Sequence, residues 1–216
     1  MLPTPTLFES HMSQFGVRND DHVVIYDSFG VGPACRVYYT FKVFGHERVS
    51  VLDGGLPKWI ADGRETTGEI TRVDKSEYKA EYKKDLVRDY KDILEYLKTR
   101  AVQISDARPE GRFKGTAPEP RPGLKSGHMP GAVSIPSTTL IHPETRTLLP
   151  LETIKQMFRD KGVDLEKPIV NSCGSGVTAS VLFFAQDLLG VKNMAVYDGS
   201  WSEYAAIETS EIVTEK

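Results

Sequence analysis

Cysteine is scarce: the 216 residues hold two, Cys35 and Cys173. Two thiols cannot build a disulfide framework, and no CxxC pair or His/Cys cluster of zinc-ligand spacing accompanies them, so no metal site is expected. The pattern suits a free thiol in a reducing compartment, cytoplasmic or, for a longer form, mitochondrial. A basic excess is also missing. Twenty-seven Lys plus Arg stand against thirty Asp plus Glu, leaving a net charge of −3. That balance argues against nucleic acid as a partner, because phosphate-backbone binding draws on clustered positive charge. No apolar run approaches the roughly 20 residues of a membrane span, so no membrane partner is expected. The first 18 residues lack both a secretory apolar core and the arginines of a transit peptide. What is present is 39% hydrophobic residues, enough to bury a core and to exclude a disordered tail.

The chain repeats itself. VVIYDSFGVGPACRVYYTFKVFGHERVSVLDGGLPKW (Val23 to Trp59) returns without a gap as PIVNSCGSGVTASVLFFAQDLLGVKNMAVYDGSWSEY (Pro168 to Tyr204). Gly45 falls on Gly190, and Asp53-Gly54-Gly55 on Asp198-Gly199-Ser200. Each copy reads as strand, loop, helix, strand. In the second, Ile169-Val170 is a buried run and Gly174-Ser175-Gly176 a turn. Val177, Val181, Leu182, Ala185, Leu188 and Leu189 then recur at helical spacing until Gly190 caps the helix. Met194 to Tyr197 reads as the next strand, which makes a βαβ unit on a parallel sheet.

Further elements precede the second copy: a helix over Tyr90 to Leu97, strands over Val102 to Ser105 and Ala132 to Ile135, and an amphipathic stretch from Leu151 to Lys161. The first copy has no counterpart of these. Shared supersecondary content would place the start of the first unit on the order of 60 residues before Met1. The expected organisation is an incomplete unit over 1–64, a polar linker over 65–85 and a complete α/β unit over 86–216. A first unit so shortened should leave sheet edge and apolar surface exposed around Val23 to Tyr26.

Chemistry is expected around Cys173. It ends a parallel strand and precedes a helix, where open α/β sheets place their ligands. The loop Cys173-Gly174-Ser175-Gly176-Val177-Thr178-Ala179 can aim successive N–H groups at one point, which favours the thiolate over the thiol. Gly174, Gly176, Val177 and Thr178 are thus candidate main-chain binders of substrate. Cys35 falls inside the first helix and reads as packing. In the first copy Ser28 stands where the second has Cys173. His22, His46 and His142 read as surface residues without partners, and His128 as a structural residue of the turn before its strand. Trp201 reads as either core or a wall of the cleft.

CGSGVTA followed by DGSW, together with DARPEGRFKGTAPEPR and SGHMPGAVSIP, resembles the mercaptopyruvate sulfurtransferases, two-domain members of the rhodanese superfamily. The resemblance implies an α/β fold of tandem rhodanese-like domains, parallel sheets flanked by helices, with the first domain incomplete. It implies that Cys173 takes a sulfur atom from 3-mercaptopyruvate as a persulfide and passes it to thioredoxin or a small thiol, with no cofactor. It suggests a proton relay through Ser175, whose histidine and aspartate partners would lie before Met1. It makes Arg112 and Arg121 the candidates for holding the substrate carboxylate, a task that suits the planar guanidinium fork; Arg108 with Asp106 would pin the loop.

Alternatives can be weighed on the loop. A cysteine phosphatase needs an arginine six residues after its nucleophile, and that position is Ala179. Thiosulfate sulfurtransferases, by the same resemblance, carry cations directly after the cysteine; Gly174 and Ser175 supply none. A thiosulfate enzyme and a weakly active rhodanese-fold scaffold that binds or regulates a partner are the competing readings.

Overall fold

The computed structural model describes residues 1–215. Helix α1 (Pro5–Gln14) opens the chain, with Thr4 accepting the Leu7 N–H and a proline at its first turn, a start in which the missing proline N–H costs nothing. The first repeat follows as β1 (Val23–Ile25), α2 (Pro33–Val43), β2 (Val49–Val51) and α3 (Gly55–Ala61). Then come β3 (Val87–Arg88), α4 (Tyr90–Thr99), β4 (Gln103–Asp106), α5 (Glu110–Lys114), β5 (Val133–Ser134) and α6 (Leu151–Asp160). The second repeat closes the chain as β6 (Ile169–Ser172), α7 (Ala179–Leu188), β7 (Met194–Tyr197) and α8 (Ser200–Tyr204). The four elements of the first repeat thus recur in the second at one constant spacing. Nothing in the sequence reading anticipated α1 or β3.

Every strand pairing is parallel. β1 and β2 form a two-stranded sheet, and the other five strands run in the order β3-β7-β6-β4-β5. The outer edge of β1 has no partner strand among the described residues, and Val24, Tyr26 and Phe29 are exposed beside it. Central strands β6 and β7 are buried on both faces. Ile169, Met194 and Val196 point into one core, while Val170, Ala195 and Tyr197 point into the other with Ile93 and Trp201, the period-2 alternation of a covered sheet. Asn171 exchanges two hydrogen bonds with Gln186 of α7, 2.7 and 3.1 Å, which satisfies both buried amides.

The two repeats share one core. Tyr38 and Tyr39 of α2 pack edge-on against Phe184 and Phe183 of α7 at 4.8 and 4.9 Å between ring centres, and Tyr38 donates to Asp187 at 2.5 Å. In the stretch read as a linker, 65–75 is exposed and lacks helix or strand. Beyond it Tyr78 is buried against Phe8, and Glu81 and Lys83 donate to the carbonyls of Phe44 and Val43. His46 is not a surface residue. It is buried, with Nδ1 3.1 Å from the Tyr78 hydroxyl and Nε2 3.1 Å from the Asp21 carbonyl, because the chain after α3 returns to cover it.

Candidate active site

The strand order places a crevice. From β4 the chain moves outward to β5, whereas from β6 it moves the other way to β7, so the loops after β4 and β6 part at the carboxyl edge of the sheet. A split of that kind is where open α/β sheets hold ligands. The β6 loop carries Cys173, and the β4 loop carries Arg108, Arg112 and Arg121.

Cys173 is almost wholly buried. Its main chain is held on both sides: its N–H donates to Ser200 Oγ at 3.3 Å and its carbonyl accepts from the Trp201 N–H at 2.8 Å. The Ser175 N–H reaches Cys173 Sγ at 3.4 Å. Helix α7 begins at Ala179, later than the hydrophobic spacing suggested, so Val177 belongs to the loop. Among the described residues, no protein acceptor takes the N–H groups of Gly174, Gly176, Val177 or Thr178, and the Ser175 hydroxyl has no hydrogen-bond partner. Gly176 sits at φ +79°, where an added Cβ would stand 2.8 Å from Arg36 Nη1, so both conformation and space require glycine.

Across the crevice, Arg108 is buried against Asp106, with Nη2 2.6 Å from Oδ2, and against Glu119 at 2.9 Å. It is a structural clamp, and the Trp201 ring lies on its guanidinium at 4.1 Å. Trp201 is therefore core, not a cleft wall. Glu119 also accepts from Arg112 Nε and Nη2 at 3.1 and 2.5 Å, which fixes that guanidinium beside the cysteine loop; a Cβ on Gly174 would stand 3.1 Å from Arg112 Nη2. Arg121 is exposed and donates to the Gly174 carbonyl at 3.1 Å. Both arginines thus reach the loop that bears the thiol, one rigidly and one from solvent. His128 stacks on Phe113 at 3.9 Å and meets its carbonyl through Nδ1 at 2.9 Å. Cys35 is buried in α2, and desolvation first, then Asp27 and Asp53, push its thiol far above the ordinary range.

A model of the rhodanese-like domain matches residues 1–62 and 89–207. The chain belongs to the rhodanese family. Mouse 3-mercaptopyruvate sulfurtransferase is 41% identical over 218 residues, covering 100% of this chain and 73% of that protein. Chicken thiosulfate sulfurtransferase is 42% identical over 206 residues, covering 94% and 70%. Among solved structures, the 3-mercaptopyruvate sulfotransferase SseA from Escherichia coli superposes with a TM-score of 0.83 at 36% identity, covering 94% of this chain and 75% of that one.

Within this rhodanese the two repeats treat the same loop differently. In the first, Asp27 fills the cradle: Oδ1 accepts the Phe29 and Gly30 N–H groups at 2.6 and 2.8 Å, and Oδ2 accepts that of Ala34 at 2.8 Å. The matching residue in the second is Ser172, whose buried hydroxyl has no partner. A built-in carboxylate occupies the donors in one copy; in the other they stay open to a sulfur anion or a substrate oxygen. The first repeat also reaches the second loop directly. Arg36 donates to Asp198 at 2.6 Å and to the Gly176 carbonyl at 3.4 Å. Sequence reasoning missed Arg36, Glu119, Asp198 and Ser200 as supports of the site. The gapless repeat held a signal for Asp27 and Ser200, since aligned positions that differ in charge or in glycine mark where the two loops diverge.

Proposed function

We propose that this rhodanese moves sulfur from 3-mercaptopyruvate through a persulfide on Cys173 to an acceptor thiol, releasing pyruvate. The reading is carried by one observation: the buried thiol lies on a loop whose N–H donors are unclaimed, and Arg112 and Arg121 both reach that loop. In the first step the Cys173 thiolate attacks the substrate sulfur. A sulfur–sulfur bond forms, the carbon–sulfur bond breaks, and its electron pair passes to carbon as the enolate of pyruvate, which takes a proton. In the second step an acceptor thiolate attacks the outer sulfur and frees Cys173.

Arg112 and Arg121 orient the keto acid through its carboxylate, while the N–H groups of Gly174, Gly176, Val177 and Thr178 stabilise the anionic sulfur. Ser175 supplies an N–H to the nucleophile and a free hydroxyl in position to relay the proton. The acceptor is a small thiol or thioredoxin, and the setting is the cytoplasm or the mitochondrion. No helix is long and apolar enough to cross a membrane among the described residues. Transfer from thiosulfate, with sulfite as leaving group, is the second reading, favoured by the similarity to the chicken enzyme. Against it stands a loop that offers no cation at Gly174 or Ser175.

The test is intact mass after mixing with 3-mercaptopyruvate. A gain of about 32 Da, roughly one sulfur atom, that disappears with dithiothreitol is expected. It should vanish in Cys173→Ser and persist in Cys35→Ser. Equal loss in both folded variants would refute the assignment.

A further inference from the structure

We infer that Ser200 is a positioning residue for the Cys173 nucleophile, an inference that rests on the sulfur-transfer reading above. Ser200 is fully buried and adopts φ +52°, a left-handed conformation that side chains other than glycine resist. Its counterpart in the first repeat is Gly55, at φ +55°. There a Cβ would stand 2.5 Å from the Asp27 carbonyl and 2.7 Å from that of Gly30, so the first repeat must use glycine. The second repeat keeps the same backbone turn yet places a side chain in it. A residue held in a disfavoured conformation at a buried position calls for a compensating contact.

That contact is with the nucleophile. Ser200 Oγ donates to the Tyr197 carbonyl at 2.8 Å, which fixes the hydroxyl, and its lone pair accepts the Cys173 N–H at 3.3 Å. The next residue, Trp201, donates its N–H to the Cys173 carbonyl. Consecutive residues therefore hold both peptide groups that flank the nucleophile. The first repeat has no such clamp: its Leu56 N–H goes to Asp27, and among the described residues neither main-chain group of Ser28 has a backbone or side-chain partner. Among the described residues, the clamp exists only in the copy whose loop after the first strand carries a cysteine. With both peptides fixed, the Cα–Cβ vector of Cys173 is fixed as well, which keeps Sγ at the Ser175 N–H.

Ser200→Ala removes the hydroxyl and keeps the Cβ in the disfavoured turn, whereas Ser200→Gly removes both but suits the positive φ; a loss shared by the two variants therefore belongs to the hydroxyl. Pre-steady-state persulfide formation from 3-mercaptopyruvate, its dependence on substrate concentration and the thermal midpoint are measured for both variants and the wild type. The expected result is a maximal rate about tenfold lower, an apparent KM within about twofold of wild type, and a Ser200→Gly midpoint within about 3 °C of it. A maximal rate within twofold of wild type in the folded variants overturns the inference, whatever the midpoint does. If the wild type takes up no sulfur, the functional reading fails separately. The clamp is then judged by the rate of Cys173 alkylation with iodoacetamide at pH 7, where a change of at least fivefold supports it and an unchanged rate overturns it.

Discussion

Removing Arg36 should uncouple the first repeat from the loop that carries Cys173. Its guanidinium meets Asp198 at 2.6 Å, with the two side chains only 14% and 10% exposed. Breaking a fully buried ion pair from one side costs about 3–5 kcal/mol, because the remaining charge stays desolvated and unpaired. Here Asp198 keeps the Leu2 N–H at 2.8 Å on its other oxygen, and some water reaches the pair. A loss of about 2–3 kcal/mol is therefore expected for Arg36→Met, which keeps an apolar stem and gives up the guanidinium that lies 5.4 Å from the Tyr39 ring centre. For a chain of this size that corresponds to a fall of roughly 4–12 °C in the thermal midpoint. Asp198→Asn and the double variant complete a cycle measured by urea unfolding. A coupling energy of about 1.5 kcal/mol or more is expected. Additive single losses, with coupling under about 0.5 kcal/mol, would show that the pair is effectively solvated and that the repeats are joined by their other contacts, the aromatic packing and the Tyr38–Asp187 hydrogen bond.

Other substitutions test the loops. Ser175→Lys should shift the ratio of kcat/KM toward thiosulfate by about 1–2 kcal/mol, roughly 5- to 30-fold, if one charge-assisted contact behaves as usual; it is preferable to a cation at Gly174, which would crowd Arg112. A wild-type preference for thiosulfate would refute the 3-mercaptopyruvate reading. Asp27→Ala leaves three N–H groups of the first loop without their acceptor and should cost about 2 kcal/mol in urea unfolding, with persulfide formation at Cys173 within about threefold of wild type. Burial also holds the Cys35 thiol and the Tyr38 and Tyr39 phenols above their ordinary ranges and pushes Tyr78 and Tyr204 up to about 12. These groups ionise in the unfolded chain before they can in the folded one. Their stabilisation is thus complete below about pH 8.5 and is lost as pH rises beyond it. Thermal midpoints should fall between pH 8.5 and 10.5, and Cys35→Ser should remove the earliest part of the decline.

The sequence by itself determined the repeat, the parallel sheet and the place of Cys173 at a strand end. These follow from local facts: apolar runs of strand length, helical spacing closed by glycine, and a cysteine between a strand and a small-residue turn. It also separated the two thiols, since Cys35 falls inside the helix of the first copy and Cys173 at the end of a strand. Only the tertiary structure decided which groups support the site. Arg112 of α5 is held beside the cysteine loop because Glu119, on the irregular stretch after that helix, takes two of its nitrogens, and no periodicity encodes that pairing. His46 is buried by a segment some thirty residues later, and Arg36 reaches Gly176 and Asp198 from the other repeat. Such contacts join residues distant in the chain, and they depend on how two units pack. Asp27 and Ser200 fall between these cases. Their identities were visible in the aligned repeats, but what they do required knowing where each oxygen points: one fills the N–H cradle of the first loop, the other holds the peptide of Cys173 in the second.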